Sequence, residues 1–295
     1  MDNPIINLEK LSKPITKLVD VVSKGIGTLY APFGTVRQAE ADAKAKIIHA
    51  KADTNVLDIH ERAQHRLIYR EALRQENIER IASQAALELP NSVSEEPLDD
   101  DWVMQFFGCA EDVCDVDMQM LWSRILAGEV TTPGQYSKRT LQFLKTLDKW
   151  EAENFSKLCS FAFTTEQNWH FIIDDGFTYT KLNEILGDGN WVGHFSSIGL
   201  LSSETSMHGA SDLSGMKLNY FLDKYIIDGP EKPSTTSIAS LEIPLSIRNF
   251  TSVGQELARI AEAAPMDEYI VGLCESLNDK DINVSFNKVK PDVDS

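Results

Sequence analysis

The sequence predicts a mainly α-helical protein with a C-terminal α+β part. Residues 38–89 contain no Gly or Pro and are rich in Ala, Glu, Arg and Lys, which are strong helix formers. Beyond residue 165, short runs of β-branched and aromatic residues alternate with helical patterns. In chain order, we therefore expect a long N-terminal helical arm, a small helical bundle and a C-terminal module of mixed helices and strands.

The composition limits the class of protein. The 295 residues are enough for one to three domains at about 150 residues each, and 42% of them are hydrophobic. No run approaches the roughly 18–20 apolar residues of a membrane span, and the N-terminus lacks a secretory signal pattern. Four scattered cysteines suit a reducing compartment. We expect a cytoplasmic protein, with peripheral contact to the inner membrane as an alternative.

Charge is distributed unevenly along the chain, whose formal net charge is −17. Residues 1–90 hold 13 basic and 12 acidic side chains, whereas the rest hold 15 and 33. An acidic body disfavours nucleic acid as a partner. Residues 92–101, with one proline and five acids, predict a solvated linker and the main boundary. The predicted domains are a short amphipathic helix with a Gly/Pro break (1–35), a long helix (36–90), a helical bundle (99–163) and a winged-helix-like domain (164–295).

The first predicted helix is amphipathic. Ser12 is placed to cap it, and Pro14 fits its first turn, where a missing N–H is tolerated. Its apolar stripe consists of Leu11, Ile15, Leu18, Val22, Ile26 and Leu29. Contact with a membrane surface or a partner is one interpretation of this stripe. Packing on the protein's own core is the other.

The second predicted helix would be about 75 Å long if continuous, because each residue adds 1.5 Å. That length exceeds a compact domain, so the helix either folds back near residues 53–55 or packs against other subunits. We favour self-association, which makes a homo-oligomer the expected state. His49, His60 and His65 lie on this helix without a metal-binding spacing and are interpreted as solvated or packing side chains.

Short helices rich in aromatic residues follow the acidic stretch. Asp99–Asp101 are placed to cap a helix that begins at Trp102. A second helix is predicted from Asp115 to a stop at Gly128, and Ser137 is placed to cap a third. The aromatic residues are interpreted as a bundle core rather than as a cofactor site.

A family resemblance is carried by residues 118–130, 133–134 and 137–141, with further support from 25–32 and 251–257. These stretches resemble a bacterial family of unknown function, itself similar to the abortive-infection alpha proteins of anti-phage defence. The resemblance implies a role in defence and supplies no catalytic residue. Its signature residues are Gln119, Leu121, Trp122, Leu126, Gly128, Glu129, Pro133, Gly134, Ser137, Thr140, Leu141, Thr251, Gly254, Glu256 and Leu257.

The C-terminal region combines strand-like stretches at 169–173, 240–247 and 282–286 with helical patterns. A "GLL" turn at 199–201 and a "TxxGxEL" helix start at 251–257 resemble a winged-helix module. The expected recognition region, 178–189, contains Lys181 as its only cation, so protein contact is favoured over DNA contact. Residues 203–216 and 229–238 are predicted loops.

Catalytic signatures are sparse in the sequence. Cys109 and Cys114 are interpreted as buried thiols rather than zinc ligands. Asp174 and Asp175, with Glu184 and His194 downstream, could imitate a metal-dependent nuclease site. We expect neither a metal nor a cofactor. The sequence favours a non-enzymatic sensor, scaffold or effector with a phage or host protein as partner; the alternatives are a membrane-docking effector, a winged-helix regulator and a nuclease.

Overall fold

The computed structural model describes residues 12–27, 59–165, 167–209, 216–221, 223–227 and 244–278. The chain forms two compact units, residues 1–149 (unit 1) and 150–295 (unit 2). Helices dominate, and an antiparallel sheet lies in the C-terminal half. The predicted fold class is confirmed.

Unit 1 is a helical bundle. Its described helices are α1 (Lys13–Ile26), α2 (Ile59–Glu88), α3 (Asp100–Ala110), α4 (Val116–Thr131) and α5 (Lys138–Thr146). The C-terminal half of α2 packs along α4, while α1 packs on α3 and α4. In the core, the Phe106 ring lies 5.2 Å from the Trp102 ring and 5.3 Å from the Trp122 ring. The aromatic residues of the sequence pattern thus form the bundle core.

The starts of α3, α4 and α5 follow the predicted caps, whereas the Ser12 side chain makes no capping hydrogen bond at the start of α1. The Asp99 carboxylate accepts hydrogen bonds from the backbone N–H groups of Asp101 and Trp102, at 2.7 and 3.1 Å. Asp115 caps α4 and Ser137 caps α5 in the same way. The predicted stop of α4 at Gly128 is wrong, because the helix continues to Thr131. Gly128 instead gives room to the Tyr136 ring, which a Cβ at this position would approach to 2.7 Å.

The acidic stretch at 92–101 does not separate two bodies. Leu98 is buried, and the Lys17 ammonium donates to the carbonyl oxygens of Ser94 and Val130 at 2.8 and 2.9 Å. Burial lowers the pKa of Lys17 from its ordinary value. The chain divides after Lys149 instead, because α1 and the end of α2 belong to the same core as α3 to α5. Residues 36–58 of the predicted long helix lie outside the described residues.

Unit 2 combines helices with a six-stranded sheet. It contains α6 (Lys149–Cys159), β1 (Phe163–Thr164), β2 (His170–Ile173), α7 (Gly176–Leu186), α8 (Trp191–Ser197), β3 (Ser206–Gly209), β4 (Met216–Tyr220), β5 (Asp223–Ile227), β6 (Pro244–Asn249), α9 (Ser252–Ala258) and α10 (Asp267–Asn278). All neighbouring strands are antiparallel, in the order β3-β6-β2-β1-β4-β5. The predicted loop at 203–216 is wrong in part, since β3 lies within it; 229–238 and 282–286 lie outside the described residues.

The start of α9 joins three parts of unit 2. The Thr251 hydroxyl accepts from the Gly254 N–H at 3.1 Å and donates to the Gly199 carbonyl at 2.6 Å. The Gln255 side chain accepts from the His170 N–H and donates to the His170 carbonyl, both at 2.7 Å. The "TxxGxEL" segment therefore ties α9 to β2 and to the turn after α8.

Candidate functional site

Most signature residues of α4 lie in the interior of unit 1, while Leu121 and Gly128 are half-buried. Trp122 is fully buried. The Gln119 side-chain amide donates to Asn77 Oδ1 at 3.0 Å and to the Val113 carbonyl at 2.8 Å. Gln119 is therefore a buried polar link between α4 and α2. Leu126, Thr140 and Leu141 are also buried.

Glu129 shapes the loop between α4 and α5. Its two carboxylate oxygens accept from the backbone N–H groups of Gly134 and Tyr136 at 2.6 and 2.9 Å. Gly134 has a φ of +84°, a conformation that favours glycine. The Glu129 residue is only 2% exposed. The Pro133-Gly134 signature is thus explained by a turn that a buried carboxylate holds.

The residues considered for a nuclease site do not come together. Asp175 caps α7 by accepting from the Thr178 N–H at 2.8 Å, and Glu184 pairs with Lys181 at 2.7 Å. His194 Nε2 lies 2.9 Å from a carboxylate oxygen of Glu151. Within the part of the chain that the structure describes, no three His, Cys, Asp or Glu side chains form a group that could hold a metal ion.

Asp174 forms a salt bridge with Arg248, which no motif in the sequence singles out. Nη2 of Arg248 lies 2.7 Å from Asp174, and these side chains are 14% and 8% exposed. The Tyr179 hydroxyl donates to the other oxygen of Asp174. Burial and this hydrogen bond raise the pKa of Tyr179 to about 12. The available signal in the sequence was a single arginine directly after the strand predicted at 240–247.

The apolar stripe of α1 is not a free surface. Leu18 and Val22 are 1% and 0% exposed, and Ile15 and Ile26 are half-buried. Gly25 lies against the Phe107 ring of α3. The remaining two stripe residues, Leu11 and Leu29, lie outside the described residues. No helix in the described ranges has the length and apolar character needed to cross a membrane.

The prediction that Cys109 and Cys114 are both buried thiols is correct for Cys109 only. Cys109 is buried, and burial raises the pKa of its thiol, whereas Cys114 is exposed. Cys114 lies in the short link between α3 and α4, one residue before the cap of α4. This position leaves its side chain partly in solvent.

An exposed apolar row lies on the N-terminal half of α2. Its members, Ile59, Ala63 and Leu67, precede three buried residues, Asn77, Ile81 and Ala85, by 18 positions each. Eighteen residues are five helical turns, so both sets lie on one face of α2. Ile59 and Leu67 are 69% and 61% exposed, because the described helices cover this face only from Glu76 onward. We call Ile59, Ala63 and Leu67 the α2 surface.

Basic residues lie beside the α2 surface. Arg62, Arg66 and Arg70 recur every four residues and are exposed, as is His60, while His65 is half-buried. His49 lies outside the described residues. The arginine after this series, Arg74, is held by Asp112 at 2.7 Å and marks the edge of the packed core.

The protein consists of a helical bundle, unit 1, and an α+β part built on an antiparallel sheet, unit 2. A family model described as a protein of unknown function (DUF2806) matches residues 61–274, which include most of both units. The chain therefore belongs to this family. No curated protein and no solved structure matches it.

Proposed function

We propose that the protein is a non-enzymatic, self-associating protein whose α2 surface binds a second copy. The observation that carries the proposal is that Ile59, Ala63 and Leu67 continue the buried face of α2 as exposed apolar residues over about two turns. An exposed apolar row that continues a core face is typical of an interaction site.

Charge supports a second copy as the occupant. The exposed part of α2 carries Arg62, Arg66 and Arg70, whereas the whole chain has 45 acidic and 28 basic side chains. A second copy that presents part of its acidic surface, rather than its own α2, would complement these arginines. Apolar contact through Leu67 and its neighbours would supply most of the affinity, and the arginines would orient the partner.

Substitutions on two exposed neighbours test this proposal. Leu67 lies on the α2 surface, while Ile68 is turned about 100° away and is 57% exposed. We expect the full chain, at micromolar concentration, to show a mass that is a multiple of 33.0 kDa in light scattering after gel filtration. Leu67→Glu should lower that mass and Ile68→Glu should not. A wild-type monomer, or equal behaviour of the two variants, would contradict the proposal.

Point substitutions are preferable to a deletion of residues 1–90. Such a deletion would remove α1 and α2, whose buried residues Leu18, Val22 and Ile81 belong to the core of unit 1. Its effect on mass would then reflect unfolding rather than the loss of an interface.

The biological role that we propose is anti-phage defence, as a sensor, scaffold or effector. Only the sequence resemblance to abortive-infection alpha proteins supports it. Plaque counts on bacteria that express the protein test it: wild type and Ile68→Glu should reduce the counts, and Leu67→Glu should not. Unchanged counts with wild type, across several phages, would contradict a defence role.

The element order of unit 2 favours a second candidate, a winged-helix interaction module. The order α6-β2-α7-α8-β3-β6, with β6 between β3 and β2, resembles the helix–strand–helix–helix–strand–strand order of winged helices. In that comparison the recognition helix is α8, not the region 178–189 expected from the sequence. Because α8 contains no Lys or Arg, we propose protein contact rather than DNA contact. Salt-sensitive binding of duplex DNA at low salt would contradict this choice.

A further inference from the structure

A cavity of about 630 Å³ opens in unit 2 between α7, α8 and the end of β6. The side chains that matter for its chemistry are Tyr179, Asn183, Asn190, Trp191, Ser203 and Arg248. Its volume is in the range of about 300–1,000 Å³ that is typical of small-ligand sites. The cavity lies entirely within unit 2 and shares no residue with the α2 surface.

The charge of Arg248 is balanced at the cavity, although its buried Nε has no hydrogen-bond partner within the described residues. Arg248 donates through Nη2 to Asp174 at 2.7 Å, and through Nη1 to the carbonyl oxygens of Ser202 and Ser203 at 2.9 and 3.1 Å. Tyr179 donates its hydroxyl hydrogen to Asp174. The guanidinium charge is therefore balanced by a neighbouring carboxylate. A phosphate would find no uncompensated cation here, and a metal ion would compete with Arg248 for Asp174. A neutral ligand fits this arrangement best.

Several polar groups of the cavity wall have no partner within the described part of the chain. The side chains of Asn183 and Ser203 make no hydrogen bond there. Asn190 Oδ1 accepts from the Gly193 N–H at 3.0 Å, which leaves its Nδ2 donor for a ligand. A side-chain amide offers a donor and an acceptor side by side, which matches the edge of a heterocyclic base.

Two aromatic residues, Trp191 and Tyr179, line the cavity. The Trp191 indole N–H donates to the Gly187 carbonyl at 2.6 Å, which fixes the orientation of that ring. Tyr179 is fixed by Asp174. Aromatic faces stack on nucleic-acid bases with little sequence preference, at about 1–3 kcal/mol per base. Leu182 and Val192 complete the apolar part of the wall.

We propose that this cavity binds an uncharged nucleoside. The base lies against Trp191 or Tyr179, and Asn183 pairs with its polar edge. Asn190 and Ser203 contact the remaining edge or the ribose hydroxyls. Nucleoside binding at this site does not depend on self-association. In a sensor, the nucleoside would be the ligand that the protein detects.

Calorimetric titration of the full chain with adenosine, guanosine, cytidine and uridine tests the proposal. At least one nucleoside should bind with a Kd below about 1 mM. Asn183→Leu should weaken that binding at least tenfold. The matched control is Asn154→Leu, because Asn154 lies on α6 outside the cavity and should leave the affinity unchanged. Circular dichroism of both variants would confirm that they are folded.

Comparison ligands separate the chemistry of the site from nonspecific binding. The 5′-monophosphate of the best nucleoside should bind no more tightly than the nucleoside, because Arg248, the cation in the described lining of the cavity, is already balanced by Asp174. Four outcomes would overturn the proposal: no nucleoside binding up to about 5 mM; equal loss of affinity in the two variants; tighter binding of inorganic phosphate; or tighter binding of methyl glucoside.

Discussion

Glu129→Gln tests the most specific contact of the family signature. The two oxygens of Glu129 accept from the backbone N–H groups of Gly134 and Tyr136 at 2.6 and 2.9 Å, and the residue is 2% exposed. Glutamine keeps the shape of the side chain but replaces one acceptor with an NH₂ donor. One of the two backbone N–H groups would then face a donor in a buried place.

The expected loss follows from the hydrogen bonds. A hydrogen bond to a charged group contributes about 1.5–3 kcal/mol, and a buried N–H left without an acceptor costs about 1–3 kcal/mol. Glutamine retains one bond of ordinary strength, so we expect the free energy of unfolding of unit 1 to fall by about 2–4 kcal/mol. For a unit of about 150 residues, that change lowers the Tm by roughly 5–15 °C.

Urea unfolding followed by tryptophan fluorescence measures this change, because Trp102 and Trp122 are buried in unit 1. The matched control is Glu95→Gln. The Glu95 side chain is 90% exposed and pairs only at the surface with Lys13, so its loss should change stability by less than about 1 kcal/mol. If Glu129→Gln is no more destabilising than Glu95→Gln, the buried carboxylate does not hold the loop in the way we infer.

Three further predictions concern single sites. Gly254→Ala should destabilise unit 2 by about 1–3 kcal/mol in urea unfolding, because the added Cβ would overlap the Leu200 carbonyl oxygen. The control is Gly108→Ala, which should not destabilise unit 1, because a Cβ at residue 108 would contact no atom beyond the backbone of its own helix. Burial lowers the pKa of His170 below 6.5. The stability contributed by the neutral His170 side chain is therefore present above pH 6.5 and is lost as pH falls through the folded-state pKa. An NMR titration midpoint for His170 at or above 6.5 would contradict this. Asp174→Asn should cost about 3–5 kcal/mol by leaving the Arg248 charge uncompensated, and the double variant Asp174→Leu/Arg248→Met should recover part of that loss.

Local features of the fold were predictable from the sequence. The caps at Asp99, Asp115, Ser137 and Thr251 were identified because a helix start depends on a few adjacent residues. The fold class was predictable for the same reason, since hydrophobic periodicity is a property of short windows.

Features that depend on distant residues were not predictable. The pair Asp174–Arg248 joins residues 74 positions apart, and no local pattern marks either one as the partner of the other. The boundary at 92–101 was misplaced because its composition is that of a solvated linker, although Leu98 is buried. The apolar stripe of α1 showed that the helix is amphipathic, but only the packed structure shows that α3 and α4 cover it. The cavity of unit 2 likewise depends on β6, which follows α8 by a long stretch of chain.

The position of α1 has a consequence for synthesis of the protein on the ribosome. Lys17 donates to the Val130 carbonyl, 113 residues further along the chain. Translation at about 5–20 residues per second means that α1 waits on the order of 10 s before α4 has been made. During that interval Leu18 and Val22, which are buried in the finished protein, have no core to enter. We therefore expect unit 1 to complete its folding only after α4 has emerged from the ribosome.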